Sequence, residues 1–260
     1  MDPMTLQLAS RITGKGPPLL ILHGLFGSAT NWRSVARLLA VHYEVHALDL
    51  RNHGASPWAD TMTYTAMADD VCQYIAQHKL PPVSMMGHSM GGKTAMALAL
   101  THPERVERLI VVDIAPRNYS DGLSNYAQAM GSIDVMAAAS RGEVQRQLQA
   151  LLPDPAVAPF LVQNLVPSND HFDWRIHLAA INASMADLTD FPADLRTRVF
   201  DKPTTAIVGG LSAYVPNGDS TPFRPMFPAI AVEVIAGAAH WVHADKPQAF
   251  LQAAQRALTR

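Results

Sequence analysis

Serine 89 stands between two glycines in "MMGHSMGG" (85–92), where an apolar run gives way to an Ala-rich one. A serine hydroxyl is a weak nucleophile at neutral pH. It attacks an acyl carbon when an imidazole takes its proton and a carboxylate fixes the imidazole's tautomer and offsets its charge. Both partners follow in the chain, because "RLIVVD" ends in Asp113 and "AVEVIAGAAH" runs into His240. A plain helix cap would also explain a serine here. It would not explain the other two residues.

These residues need a scaffold that carries each to the same place. Short runs rich in Leu, Ile and Val alternate with longer 3.6-period segments, the pattern of a mostly parallel sheet flanked by helices. The expected strands are 18–23, 43–49, 82–87, 108–113, 204–209 and 231–236, with helices over 31–42, 64–78, 91–103 and 247–260. Ligands in such sheets gather beyond the carboxyl ends of the strands, and Ser89, Asp113 and His240 all fall there. Between Pro116 and about Asp201 the alternation stops. That stretch reads as helices and loops without a convincing strand, so residues 1–115 and 201–260 form the expected core and 116–200 an inserted helical lid.

A negatively charged intermediate also needs backbone donors. "LHGLFGS" (22–28) ends the first long strand in a His-Gly turn whose free N–H groups can face the serine, and the helix start after Ser89 offers another. Leu25 and Met90 are the expected oxyanion donors, with Phe26 the neighbouring alternative. Gly87 and Gly91 keep side chains out of a tight strand-to-helix turn.

Composition excludes several other roles. At 260 residues, 48% hydrophobic and net charge −2, the chain has the core of a globular domain and no basic footprint for nucleic acid or an anionic membrane. No apolar run reaches the roughly 18 to 20 residues of a membrane span. One cysteine, Cys72, excludes an internal disulfide, and the opening residues lack a signal-peptide pattern, so a cytoplasmic location is expected. No His or Cys spacing marks a metal site despite 11 histidines. Among these, His23, His88 and His243 read as loop and helix supports, and Asp49, Arg51 and His53 as a bracing cluster. The partner is expected to be a small molecule; oligomeric state is unassigned.

The order Ser89, Asp113, His240 and the G-x-S-x-G turn resemble the α/β-hydrolase fold and its nucleophile elbow. More narrowly, "LLILHGLFGSATNW", "ALDLRNHGASP", "GHSMGGKTAM", "LIVVDIAPRNY" and "IAGAAHWVHADKPQAF" resemble the YbfF-like esterases, and "WRIHLAAINASMADLTDF" resembles their lid. The resemblance implies Ser89 as nucleophile, His240 as general base, and hydrolysis of acyl esters or thioesters without a cofactor. Many α/β-hydrolases take their acid from the turn after the strand "TTAIVG", but here Ser212 occupies that position and Asp219 lies well down the loop. Asp113 is therefore the expected acid, as in the YbfF-like group, with Asp219 the alternative. The Ser212 hydroxyl is then free to orient Asp113 or the His240 ring.

The lid supplies aromatic and methionine side chains, among them Tyr119, Tyr126, Phe160, Phe172, Trp174 and Met185, that could roof an acyl pocket. Arg175, beside Trp174, is the lid charge nominated for substrate contact. Two rival readings share the scaffold: a C–C bond hydrolase or lyase, and a non-enzymatic binding protein.

Overall fold

Strands covered on both faces read as continuous apolar runs rather than alternating ones, and those runs form the centre of the molecule. The computed structural model describes residues 5–119 and 122–260. Its main sheet holds seven strands: β1 (Ser10–Thr13), β2 (Pro18–Leu22), β3 (Glu44–Leu48), β4 (Val83–His88), β5 (Val106–Val112), β8 (Thr204–Gly209) and β9 (Ile230–Ile235). A separate antiparallel pair, β6 (Leu165–Ser168) and β7 (His171–Trp174), lies in the lid. The main sheet runs in the order β1-β3-β2-β4-β5-β8-β9, parallel except for β1.

Alternation along each strand sorts its side chains between two cores. Leu20 and Leu22 of β2 face one layer while Leu19 and Ile21 face the other, and Leu109 and Val111 of β5 part from Ile110 and Val112 in the same way. Helices α2 (Tyr64–Gln77) and α3 (Met90–Thr101) cover the first face; α1 (Arg33–Leu39) and the terminal helix α10 (Pro247–Thr259) cover the second. The short helix α9 (Val242–Asp245) precedes α10 directly after His240. Helix α3 is buried from Met90 to Leu100. It is apolar nearly all round, Lys93 and Thr94 apart, because the sheet flanks one side and α2 the other.

Between β5 and β8 the lid carries α4 (Leu123–Ser132), α5 (Arg141–Leu151), α6 (Ala158–Leu161), α7 (Leu178–Ala183) and α8 (Met185–Thr189). Its apolar side chains, including Met130, Leu148, Leu161 and Leu188, belong to the same cluster as α2 and α3. The lid is therefore an extension of one core, not a detachable flap.

Two elements depart from the sequence expectation. The lid has the β6–β7 hairpin where no strand was expected; four-residue strands are too short for a periodic signal, and its turn runs through Asn169 at φ 51°. Edge strand β1 was not expected either. Its "SRIT" is mostly exposed and polar, and it is held by pairing with β3 rather than by apolar patterning.

From β2 the chain first steps to β3 on one side and then to β4 on the other. The crevice where strand order reverses thus lies between the carboxyl ends of β2 and β4, the usual ligand position in an open parallel sheet.

Candidate active site

Ser89 follows β4 at that crevice and adopts φ 50°, ψ −117°, a left-handed conformation that costs on the order of 1–3 kcal/mol in a non-glycine residue. Its surroundings impose the conformation. The Ser89 N–H donates to Val112 O at 3.0 Å, and its carbonyl accepts from Lys93 N to start α3. A Cβ on Gly87 would collide with the Gly91 carbonyl, and one on Gly91 would lie 2.5 Å from the carbonyls of Leu22 and His23. The two glycines are the condition for the turn.

Asp113 follows β5 at φ 52° and is wholly buried. Its Oδ1 accepts from the Gly209 N–H at 2.9 Å, and its Oδ2 accepts from His240 Nδ1 at 2.7 Å. The Ser212 hydroxyl also donates to Oδ2, at 2.5 Å, and accepts in turn from the Tyr214 N–H. Asp219 does not enter this network. It is exposed, and hydrogen bonds from the Thr221 side chain and then the Thr221 N–H hold its carboxylate below the usual range.

With Nδ1 committed to Asp113, His240 has Nε2 left for the cavity. Its ring stacks on Tyr214 at 4.0 Å, and its backbone carbonyl accepts from His88 Nε2 at 3.0 Å. Ser89 and His240 line one cavity of about 200 Å³, whose other walls include Phe26, Tyr126, Val157, Phe160 and Trp241. Tyr126 and Phe160 thus roof it from the lid. Trp174 and Arg175 do not reach it: Trp174 packs against the apolar cluster, and exposed Arg175 contributes its backbone to bonds with Asn164 O and Trp58 Nε1. Trp174 ends the β6–β7 hairpin, unforeseen in the sequence, and Arg175 follows it; neither lines the cavity. Tyr214 and Trp241 are cavity residues that sequence reasoning passed over; each lies in a loop, with no periodicity to mark it.

The turn after β2 separates the candidate backbone donors. The Phe26 N–H is already bonded to His53 Nε2 at 3.1 Å, while those of Leu25 and Met90 have no acceptor among the described residues. Phe26 is therefore withdrawn as an alternative donor. Its carbonyl ties the turn to the lid through Asn164 Nδ2 at 2.8 Å.

Histidines brace this turn in their neutral form. His23 donates from Nδ1 to Gly24 O and accepts the Leu50 N–H at Nε2; His53 donates to Arg51 O and accepts from Phe26. Burial pulls them down to about 4 and about 3, and it holds His243 at about 4 and His88 well below the ordinary histidine value. Arg51 pairs with Asp70 at 2.7 Å inside the core, and Asp49 accepts from the Ala29 and Ala55 N–H groups. Asp49, Arg51 and His53 are thereby engaged in holding loops.

Comparison with known proteins agrees with this architecture. Residues 17–247 match the model of the alpha/beta hydrolase fold family. The chain is 42% identical to the sn-1-specific diacylglycerol lipase ABHD11 of Xenopus laevis over 92% of this chain and 78% of that protein. It is 33% identical to the esterase YbfF of Escherichia coli, over 93% and 92% of the two chains. Among solved structures, a marine microorganism esterase superposes with a TM-score of 0.92 at 35% identity, covering 97% of this chain and 99% of that one. The chain belongs to the α/β-hydrolase family and, within it, to the YbfF-like esterases. It is thus a serine ester hydrolase by class. No helix among the described residues is long and apolar enough to cross a membrane.

Proposed function

We propose that the protein hydrolyses carboxylic esters or acyl thioesters through an acyl-enzyme on Ser89. His240 Nε2 takes the Ser89 proton as Oγ bonds to the acyl carbon. The carbonyl oxygen, now negative, accepts from the Leu25 and Met90 N–H groups. Asp113 holds His240 in the tautomer with Nε2 free and offsets the charge of the imidazolium. Collapse breaks the bond to the alcohol or thiol, which leaves with the proton from His240. Water then repeats the sequence on the acyl-enzyme, and the acid departs. The apolar cavity walls suit an acyl chain, in keeping with relatives named as a lipase and an esterase.

The observation that carries this reading is the Asp113–His240 hydrogen bond beside Ser89 and two backbone donors without an acceptor among the described residues. A panel of nitrophenyl acyl esters, run with a fluorophosphonate label, tests it. Turnover, a burst and label on Ser89 are expected. No turnover and no label would leave a binding protein on the same fold.

A further inference from the structure

Ser89 borders a second, narrower chamber of about 20 Å³, room for a single oxygen-sized group, whose walls also include Met90, Tyr64, Lys93, Tyr119 and Leu188. Lys93 is its anomaly. It is 1% exposed, within a helix otherwise built of small and apolar residues. Standing four residues after Ser89, it shares that residue's helix face, and helical side chains lean toward the N-terminus, here toward Ser89.

Among the described residues the Lys93 side chain has no bonded carboxylate. Nζ donates to the carbonyls of Thr189 at 2.9 Å and Asp190 at 2.8 Å, whereas the Asp190 side chain is bonded to Arg196. The rings of Tyr64 and Tyr119 lie 5.5 and 4.9 Å away, but their hydroxyls donate elsewhere, to Leu188 O and Tyr214 O. The ammonium form of Lys93 carries three N–H donors, and among the described residues the third has no protein acceptor. Burial pulls Lys93 down to about 7, with Asp190 opposing and Arg196 and Arg117 adding to the fall. A buried amine whose charged form has a spare donor, in a chamber that adjoins the nucleophile, lacks a partner that a ligand can bring.

We propose that this chamber is a subsite for an oxygen substituent on the second or third carbon of the acyl group, bound by the free Lys93 N–H while the chain itself lies in the large apolar cavity. The proposal rests on the ester hydrolase reading, since it is Ser89 that holds the acyl group between the two spaces. A hydroxyl or keto oxygen fits a narrow chamber, and a hydrocarbon branch there would leave the ammonium unpaired.

Nitrophenyl hexanoate and nitrophenyl 3-hydroxyhexanoate, corrected for their uncatalysed rates, give the test. The wild-type kcat/KM is expected to favour the hydroxy ester by about 10-fold, and Lys93→Met should bring the ratio to about one, whatever its effect on the two rates separately. A wild-type ratio of one or less overturns the proposal without any variant. So does a Lys93→Met enzyme, folded by its melting curve, that keeps the preference. If neither ester is turned over and Ser89 takes no label, the underlying reading fails and the subsite falls with it.

Discussion

The strand ends and the lid meet above Ser89, yet they are held by different forces. At the strand ends, position is set by backbone: Ser89 and Asp113 sit at positive φ, and Asp113 receives hydrogen bonds on both oxygens from three different partners. The lid is held mainly by apolar packing into the α2–α3 core, with a few polar ties such as Asn164 to Phe26 O and Tyr64 to Leu188 O. Hydrogen-bonded geometry has one solution, whereas apolar packing tolerates exchange of similar volumes. The chemistry should therefore depend on the first region, and the ranking of substrates on the second.

Ser89→Ala probes the first region most severely. Hydrolysis should fall by about 10³-fold or more, with the thermal midpoint near that of the wild type because the left-handed turn remains. Residual turnover close to wild type would place the nucleophile elsewhere.

Asp113→Asn should cost about 10²- to 10⁴-fold in turnover, since an amide cannot offset the imidazolium and presents the wrong partner to Nδ1. Asp219→Asn should stay within about 2-fold, as that carboxylate is solvated and caps only its own loop. The reverse ranking would move the acid to the later loop.

The bracing histidines of the same region predict a stability effect. His23, His53 and His243 are buried at about 4, about 3 and about 4, against an ordinary 6.5 when unfolded. Below 6.5 the unfolded chain takes up protons that the folded chain refuses, so this contribution is complete above 6.5 and is lost as pH falls toward 4. Each histidine adds up to about 1.4 kcal/mol per pH unit to the slope. Melting curves should show the midpoint dropping steeply between pH 6.5 and 4.5. A midpoint unchanged from pH 7 to 5 would contradict neutral, buried rings.

The same division governs what could be read from the sequence. Ser89, Asp113 and His240 end apolar runs that only a parallel sheet explains, so their convergence at one face was legible. So was the vacancy for an acid at Ser212, because the strand before it is plain. Trp174 and Arg175 were misplaced since they lie at the end of a short hairpin that composition does not announce. Lys93 was passed over, although a lysine in a helix otherwise apolar and four residues after a candidate nucleophile is a signal.

Ser212→Ala should be milder than the Asp113 change. It removes one donor from Oδ2 but leaves the Gly209 N–H on Oδ1 and the bond to His240. A hydrogen bond worth about 1 kcal/mol, somewhat more when the acceptor is charged, corresponds to a loss of about 10-fold or less. A loss as large as that of Asp113→Asn would show that the carboxylate cannot hold its place without the hydroxyl.

A milder effect, confined to long acyl chains, belongs to the lid. Phe160 comes from α6, meets Trp241 with ring centroids 5.6 Å apart, and forms part of the large cavity wall. Deleting the lid would uncover the shared core, so a point change is the cleaner probe. Phe160→Ala removes apolar contact from an acyl chain long enough to reach it and none from an acetyl group held at Ser89. Each buried methylene is worth about 0.8 kcal/mol, so losing about one methylene's worth of contact lowers kcat/KM for nitrophenyl octanoate by about 4-fold. Nitrophenyl acetate should change little, because the strand-end residues that act on it are untouched. The measured quantity is the octanoate-to-acetate ratio across the two enzymes. If both esters slow equally, Phe160 supports the strand ends rather than the substrate, and the division between rate-setting strand ends and ranking-setting lid breaks down at this residue.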